Sequence, residues 1–330
     1  MKRILFRADA KPSIGIGDLI SLISLSKYFI KAGWKIYFMI RGYEAGVKIA
    51  QKYRLSNLIT IDPQCSLDEE VRAINSICSK ECIDLVFFEI TERSLSDYKG
   101  LKDTFKKAAI SFDGNLLDDL SLVVSWVPDS TKLFNPNKYP KTKFLLGYEY
   151  VTLSPEFFDD PRIKIRQYNP NPRKILVAMG GADENNLTKK VVDALIINKI
   201  YLQTTIITGG GYEFLEKLEN NLELSGLNYQ LKNNIINMLE EYLDCDIAIG
   251  SGGLTASELV ASRTPAILIA AYEHQIDRCK FFQSKGWGQY LGYRDFDLNK
   301  FTENIFHPPS VALFNPFKNE KIMLTIQSIL

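Results

Sequence analysis

The chain has 330 residues, a length that suits about two domains. Hydrophobic residues make up 46% and charged residues 24%, as in an ordinary soluble globular protein. Forty basic side chains against 39 acidic ones leave a net charge of +1, with no polybasic cluster, so nucleic acid is not an expected partner. Five scattered cysteines (Cys65, Cys78, Cys82, Cys245 and Cys279) fit a reducing cytoplasm better than a disulfide framework. Cys78 and Cys82, four residues apart, read as two buried thiols on one helix face. Two histidines in the whole chain supply a zinc site poorly. "MKRILF" is too short for a secretory signal, and no apolar run approaches the ~18 residues of a membrane span.

In chain order, "RILFRAD" reads as a strand and residues from about Gly17 to Ala32 as a helix that Gly33 ends. The apolar face of that helix points to core packing rather than to a membrane surface. "KIYFMIRG" is a strand, "EAGVKIAQKY" a helix and "LITID" a strand. "LDEEVRAINSICSKE" is a helix with acidic residues in its first turn, where the helix dipole favours them. "IDLVFFEI", "KKAAISFDG" and "LSLVVSWV" are further strands. Prolines crowd the stretch from Pro128 to Arg173, which reads as a connector with some ordered structure. The alternation then restarts with "RKILVAMGG", "NLTKKVVDALII", "LQTTIITGGG", "YEFLEKLENNLEL", "NMLEEYLDC", "DIAIGSGG", "LTASELVASR" and "PAILIAA". This pattern implies parallel sheets with helices on both faces. The expected domains are residues 1–170 and 171–330.

Four turns place glycine between a strand and a helix: Gly15 to Asp18, Gly180 to Asp183, Gly209 to Gly211 and Gly250 to Gly253. Glycine admits close approach of a ligand, and a helix N-terminus behind it offers free N–H groups and partial positive charge. Three such turns in the C-terminal half point to a phosphate or diphosphate at the sheet's switch point. No GK[ST] follows any of them, so none is a P-loop, and "GIGD" lacks the full dinucleotide pattern. Glu258, one turn into the helix after "GSGG", is placed to accept hydrogen bonds from a ribose diol or to lie as a solvated helix residue.

"GSGGLTASELVASRTPAILI" resembles the nucleotide-binding segment of the peptidoglycan N-acetylglucosaminyltransferase that makes lipid II. Over about residues 1–290 the chain resembles more closely the pseudaminic-acid-pathway UDP-sugar hydrolases and the related spore-coat polysaccharide proteins. "ILFRADA…IGIG", "KFLLGYEYVTLSPEF" and "VAMGGADENNLT" stand in that family's order and spacing. The resemblance implies a GT-B fold: two Rossmann-like α/β domains with parallel sheets and an interdomain cleft. It implies a UDP-sugar partner held by the C-terminal domain. Gly180, Gly181, Gly252, Gly253, Leu254 and Thr255 would face the diphosphate, Glu258 the ribose and Ile235 the uracil. His274 and Gln275 match a loop that reaches the sugar or phosphates.

The other domain departs from the family. Asp18 stands where its catalytic histidine would, Ser21 and Ser154 where arginines would, and Glu89, Ile90 and Thr91 where an Asp-His-Tyr run would. Asp18 remains suited to catalysis, because inverting displacement at an anomeric carbon needs a base opposite the leaving nucleotide, and carboxylates serve in glycoside chemistry. "GIGD" also resembles the Gly-Asp turn of heptosyltransferase-type enzymes, whose aspartate plays that part. The alternative is that Asp18 only caps its helix. Gly15, Gly17 and Glu89 are candidate substrate-binding residues, with Asp9 a secondary candidate. Asp183 and Asn186 read as caps of the next helix. With no Asp-x-Asp pair suitably placed, neither a metal nor a cofactor is expected; Asp159 and Asp160 read as a helix end or turn. The expected chemistry is inverting cleavage of a nucleotide-sugar C–O bond. The acceptor is either a hydroxyl of a sugar or lipid carrier, or water. A nucleotide-sugar binder without activity is the other class.

Overall fold

In the computed structural model, which describes residues 1–11, 15–308 and 318–330, the apolar runs form two parallel sheets, each within its own compact unit. Ser13 and Ile14 of the first glycine motif lie outside the described residues. The first unit holds β1 (Arg3–Ala8), α1 (Gly17–Lys31), β2 (Lys35–Arg41), α2 (Glu44–Lys52), β3 (Leu58–Ile61), α3 (Leu67–Lys80) and β4 (Leu85–Glu89). β5 (Lys106–Ile110), β6 (Leu122–Ser125), α4 (Ser130–Leu133) and β7 (Lys143–Leu146) follow. Its strand order is β3-β2-β1-β4-β5-β6-β7, so the direction of winding reverses between β1 and β4, with Ala8 beside Glu89. Such a reversal opens a crevice at the C-terminal strand ends, where ligands of α/β sheets bind.

Local chemistry accounts for these elements. The central strands are runs of Ile, Leu, Val and Phe that are buried along their length, as a sheet covered on both faces requires. Leu19, Leu22, Leu25 and Phe29 of α1 are buried, and the Phe29 ring meets Phe6 at 5.8 Å and Trp34 at 5.0 Å. α3 starts with a capping box: Ser66 accepts from the Glu69 amide while the Glu69 carboxylate accepts from the Ser66 amide. Cys78 of α3 is buried, but Cys82 lies past the helix end in a left-handed conformation and is exposed, so the two thiols do not share a face.

The second unit holds α5 (Glu156–Asp159), α6 (Pro161–Ile165), β8 (Lys174–Ala178), α7 (Leu187–Ile197), β9 (Gln203–Thr208), α8 (Leu215–Glu223), β10 (Tyr229–Asn233) and α9 (Met238–Asp244). It continues with β11 (Ile247–Ser251), α10 (Leu254–Ala261), β12 (Ala266–Ala270), α11 (Ile276–Ser284), β13 (Gln289–Tyr293) and α12 (Leu298–Phe306). The order β10-β9-β8-β11-β12-β13 puts its switch point between β8 and β11. The last helix, α13 (Asn319–Ile329), belongs to the first unit.

The division of the chain therefore differs from the expected break after residue 170: it falls after Pro155, and the C-terminus returns to the first unit. Side-chain contacts explain both shifts. Phe157 packs on Tyr242, Arg162 pairs with Glu240, and Arg166 donates to the carbonyls of Tyr242 and Cys245, which ties the connector's short helices to the second unit. At the other end Asn319 accepts from the Leu153 amide and Lys143 donates to Ser328.

Candidate functional site

In the first unit the candidate residues gather at the C-terminal ends of β1 and β4. α1 begins at Gly17 with Ile16 as its N-cap and no side-chain cap. Asp18 is thus inside the first turn and does not cap the helix. Its half-buried carboxylate accepts from Thr91 twice, from the amide at 3.2 Å and the hydroxyl at 2.9 Å. Burial pushes its proton affinity up to about 7, the Thr91 hydrogen bonds oppose that, and the charges of Asp9 and Glu92 add to it. A carboxyl that changes protonation near neutrality is matched to general acid–base work. Among the described residues, nothing lies within 4 Å of where a Cβ would sit on Gly15 or Gly17.

Glu89, at the end of β4, is 2% exposed, with its Oε2 unpartnered among the described residues. Ser21, one turn beyond Asp18 on α1, lies beside Glu89 and bonds Thr152. Ser154 donates to Ser24 at 3.3 Å. The two serines at the family's arginine positions are therefore buried in one seam of α1, contributing hydroxyls where the resemblance implied charge. Asp9 has a different task. Arg7 grips it with two hydrogen bonds of 2.7 and 2.8 Å and the Arg41 amide donates to it, so it is a structural anion. Beneath it Glu70 accepts from Arg7, Arg41 and Tyr98. Burial raises the Glu70 carboxyl, but the Arg7 charge and these hydrogen bonds outweigh that and hold it at about 2.

In the second unit the candidates are strung along the C-terminal edge of the sheet. Gly180 has φ of +104°, a conformation that glycine alone adopts without strain, and it carries β8 into the "GGAD" turn. Asp183 then accepts from the amides of Leu187 and Thr188 at 2.8 Å each, so the first turn of α7 is capped from within. Asn186 instead accepts from the Tyr212 hydroxyl. α10 is the contrasting case. Its N-cap is Gly253, no side chain caps it, and its first turn holds no acid. The amides of Leu254, Thr255 and Ala256 open this helix, which concentrates partial positive charge there.

Gly252 is required by packing, since a Cβ there would lie 2.4 Å from the Cys279 sulfur. Gln275, 6% exposed, braces the same turn: its Oε1 accepts from the Ala271 amide, and its Nε2 lies 3.4 Å from the position of a Gly253 Cβ. His274 stacks on Tyr272 with ring centroids 5.7 Å apart. Burial, then the neighbouring Arg278 charge, lowers its proton affinity. Arg278 reaches the same turn, donating to the Gly252 carbonyl at 3.3 Å.

Glu258 is not a solvated helix residue. It is half-buried, accepts from the Tyr242 hydroxyl at 2.7 Å, and is pushed up to about 7 by burial. Ile235 is half-buried in the loop after β10, beside Ile236, which is 55% exposed. Sequence reasoning missed Thr91 and Tyr242, the partners of the two key carboxylates. Each is far from its carboxylate in sequence, and no local spacing announces either pair. Asp160, of the connector's acidic pair, caps α6 by accepting from the Arg162 amide. Among the described residues no group of three or more His, Cys, Asp or Glu is arranged to hold a metal ion, and no helix is long and apolar enough to cross a membrane.

Two parallel-stranded Rossmann-like units with alternating helices make this a GT-B fold. The structure of MurG from Acinetobacter baumannii is similar over 99% of this chain and 100% of that one, with a TM-score of 0.68 at 13% identity. Residues 175–321 match the Glycosyltransferase family 28 C-terminal domain. An uncharacterized protein of Methanocaldococcus jannaschii is 29% identical over 141 residues, 42% of this chain and 29% of that protein. The UDP-N-acetylglucosamine--N-acetylmuramyl-(pentapeptide) pyrophosphoryl-undecaprenol N-acetylglucosamine transferase of Polaromonas naphthalenivorans is 28% identical over 141 residues, 41% of this chain and 39% of the transferase. The chain thus spans well under half the length of these curated relatives.

Proposed function

We propose that this protein transfers a sugar from a nucleoside diphosphate, UDP by preference, to a hydroxyl acceptor with inversion at the anomeric carbon. The observation that carries the reading lies in the segment that matches the Glycosyltransferase family 28 C-terminal domain. There an uncapped helix N-terminus at Gly253–Thr255 is followed one turn later by the half-buried carboxyl of Glu258. The first suits a diphosphate and the second a ribose diol. Because Asp183 already occupies the α7 amides, the diphosphate is assigned to α10, with Gly180, Gly181, Gly252, Leu254 and Thr255 around it. Ile235 covers the uracil, and His274 and Gln275 reach the sugar or phosphates.

In this reading Asp18 takes the proton of the attacking hydroxyl as the C–O bond breaks, and Gly15, Gly17 and Glu89 shape its surroundings. The electron pair of the broken bond leaves on the diphosphate, whose charge the α10 amides stabilise. The acceptor is a sugar or a lipid carrier, and the reaction belongs to cytoplasmic surface-glycan or nonulosonic-acid biosynthesis.

The test is incubation with UDP-, GDP- and CMP-sugars, with and without candidate acceptors, following free nucleotide. Release from a UDP-sugar that needs an acceptor is expected, falling by about 10²–10⁴-fold in Asp18→Ala with UDP still bound. Release without any acceptor would make the protein a hydrolase. UDP binding with no release from any sugar nucleotide would make it a binder.

A further inference from the structure

Glu89 is held from several sides. Its backbone is fixed between Ala8 of β1 and Ile110 of β5 in the sheet register. From α1 the Ser21 side chain lies beside it, and Ser21 is itself bonded to Thr152. Two residues further along the chain, Thr91 donates both its amide and its hydroxyl to Asp18. Asp18 and Ser21 are three apart on α1 and so share one helix face. The start of α1 and the end of β4 thereby bring two carboxyl groups to the same end of the sheet, one half-open to solvent and one sealed.

The sealed one cannot comfortably be an anion. Its Oε2 is buried with no hydrogen-bond partner among the described residues. A charged carboxylate in that state would forfeit its hydration with nothing in return, whereas a protonated one carries its hydrogen on that oxygen. Building on the transferase reading above, we propose that Glu89 is the positioning residue of the Asp18 site: a sealed, proton-bearing acid that confines the pair's titrating charge to Asp18.

The surrounding charges agree. From the end of β1 Asp9 faces the site, already paired with Arg7 and Arg41. From the loop after β4 Glu92 faces it, paired with Lys11. α1 contributes Asp18 and Ser21, and Ile110, beside Glu89 in the register, carries no charge. No cation in this set is directed at Glu89. Burial first, and then the Asp18 charge, raise the Glu89 carboxyl well above its ordinary range, while Asp18 itself is raised to about 7. Two interacting carboxyls of this kind lose their protons in two separate steps. Thr91 donates twice to Asp18 while Glu89 is sealed, so the first proton is assigned to Asp18 and its neighbour stays neutral.

The experiment is a carboxyl-carbon NMR titration of the full chain without substrate, in wild type, Glu89→Gln and Asp18→Asn. In wild type one step is expected near pH 7 and another well above the carboxylate range. In Glu89→Gln the upper step disappears and the Asp18 midpoint moves by less than about half a unit. In Asp18→Asn the Glu89 step moves down, because the charge that raised it is gone. A Glu89 step near the ordinary glutamate value of about 4.3 in wild type overturns the proposal, as does an Asp18 midpoint that falls by more than about one unit in Glu89→Gln. If Glu89→Gln does not fold, Asp18→Asn decides: a Glu89 step that stays in place rejects the pairing. No donor or acceptor enters this measurement. A chain with these titrations and no turnover would keep the pairing and lose the transferase reading.

Discussion

Asp18 and Thr255 occupy the same place in their helices. Each is the second residue of a helix that follows a strand bordering the switch point of its sheet. In the first unit that position is a carboxyl, tied to Thr91 and close to Asp9, Glu92 and the sealed Glu89. In the second it is a hydroxyl behind two glycines, with the helix amides left open. The fold supplies a positive helix end in both. The residue placed on it decides whether the site suits an anion or a base. A helix N-terminus ordinarily lowers the proton affinity of a nearby carboxyl. At Asp18 burial and the neighbouring acids win, which is what a base working near neutrality needs.

The supports beneath the two sites differ as well, and a substitution there is expected to have the largest effect on stability. Under the first site lies the ionic cluster of Arg7, Asp9, Arg41 and Glu70, all buried. Under the second lies an apolar cluster that includes Ile175, Val177, Ile247, Ile249 and Ile267. Glu70→Gln leaves two buried guanidinium groups with Asp9 as their shared counter-charge and is expected to cost about 3–5 kcal/mol. Denaturant titration checks this by fluorescence. Trp34 and Trp126 report on the first unit, where the loss should fall, and Trp287 on the second, which should be unmoved. An equal shift in both would erase the distinction.

A smaller effect concerns pH. Glu70 is held down at about 2, so its contribution is present above the ordinary glutamate range and is lost as pH falls toward 2. Asp18 and Glu258 are raised to about 7, so their contribution is present in mild acid and is lost as pH rises through 7. Thermal stability should therefore peak in mild acid and decline toward pH 8. Asp18→Asn should flatten that decline by about 2–4 °C, read by melting curves at pH 5 and pH 8. A decline of unchanged size in the variant would mean that Asp18 is not raised.

Much of the fold was legible because buried parallel strands leave unbroken apolar runs, as in "LVFF" of β4 and "AILIA" of β12. β7, β10 and β13 were not, and each lies at a sheet edge. Edge strands such as "YQLKN" and "QYLGY" are only partly buried and carry no such run. The glycine turns and Asp18 could be read because they are contiguous in sequence. The partners that set their chemistry could not: Thr91 is 73 residues from Asp18, and Tyr242 is 16 from Glu258. The connector's allegiance was hidden for the same reason, since Arg162 and Arg166 find their partners some 80 residues on.

The contrast between the two helix ends is tested most directly by calorimetry with UDP on wild type, Asp18→Asn and Thr255→Asp. Wild type and Asp18→Asn should bind alike. Thr255→Asp, which gives α10 the acid that α1 carries, should weaken binding by about tenfold, or about 1.4 kcal/mol. No uptake of UDP by wild type, or a loss in Asp18→Asn with Thr255→Asp unaffected, would contradict the assignment of the nucleotide to α10.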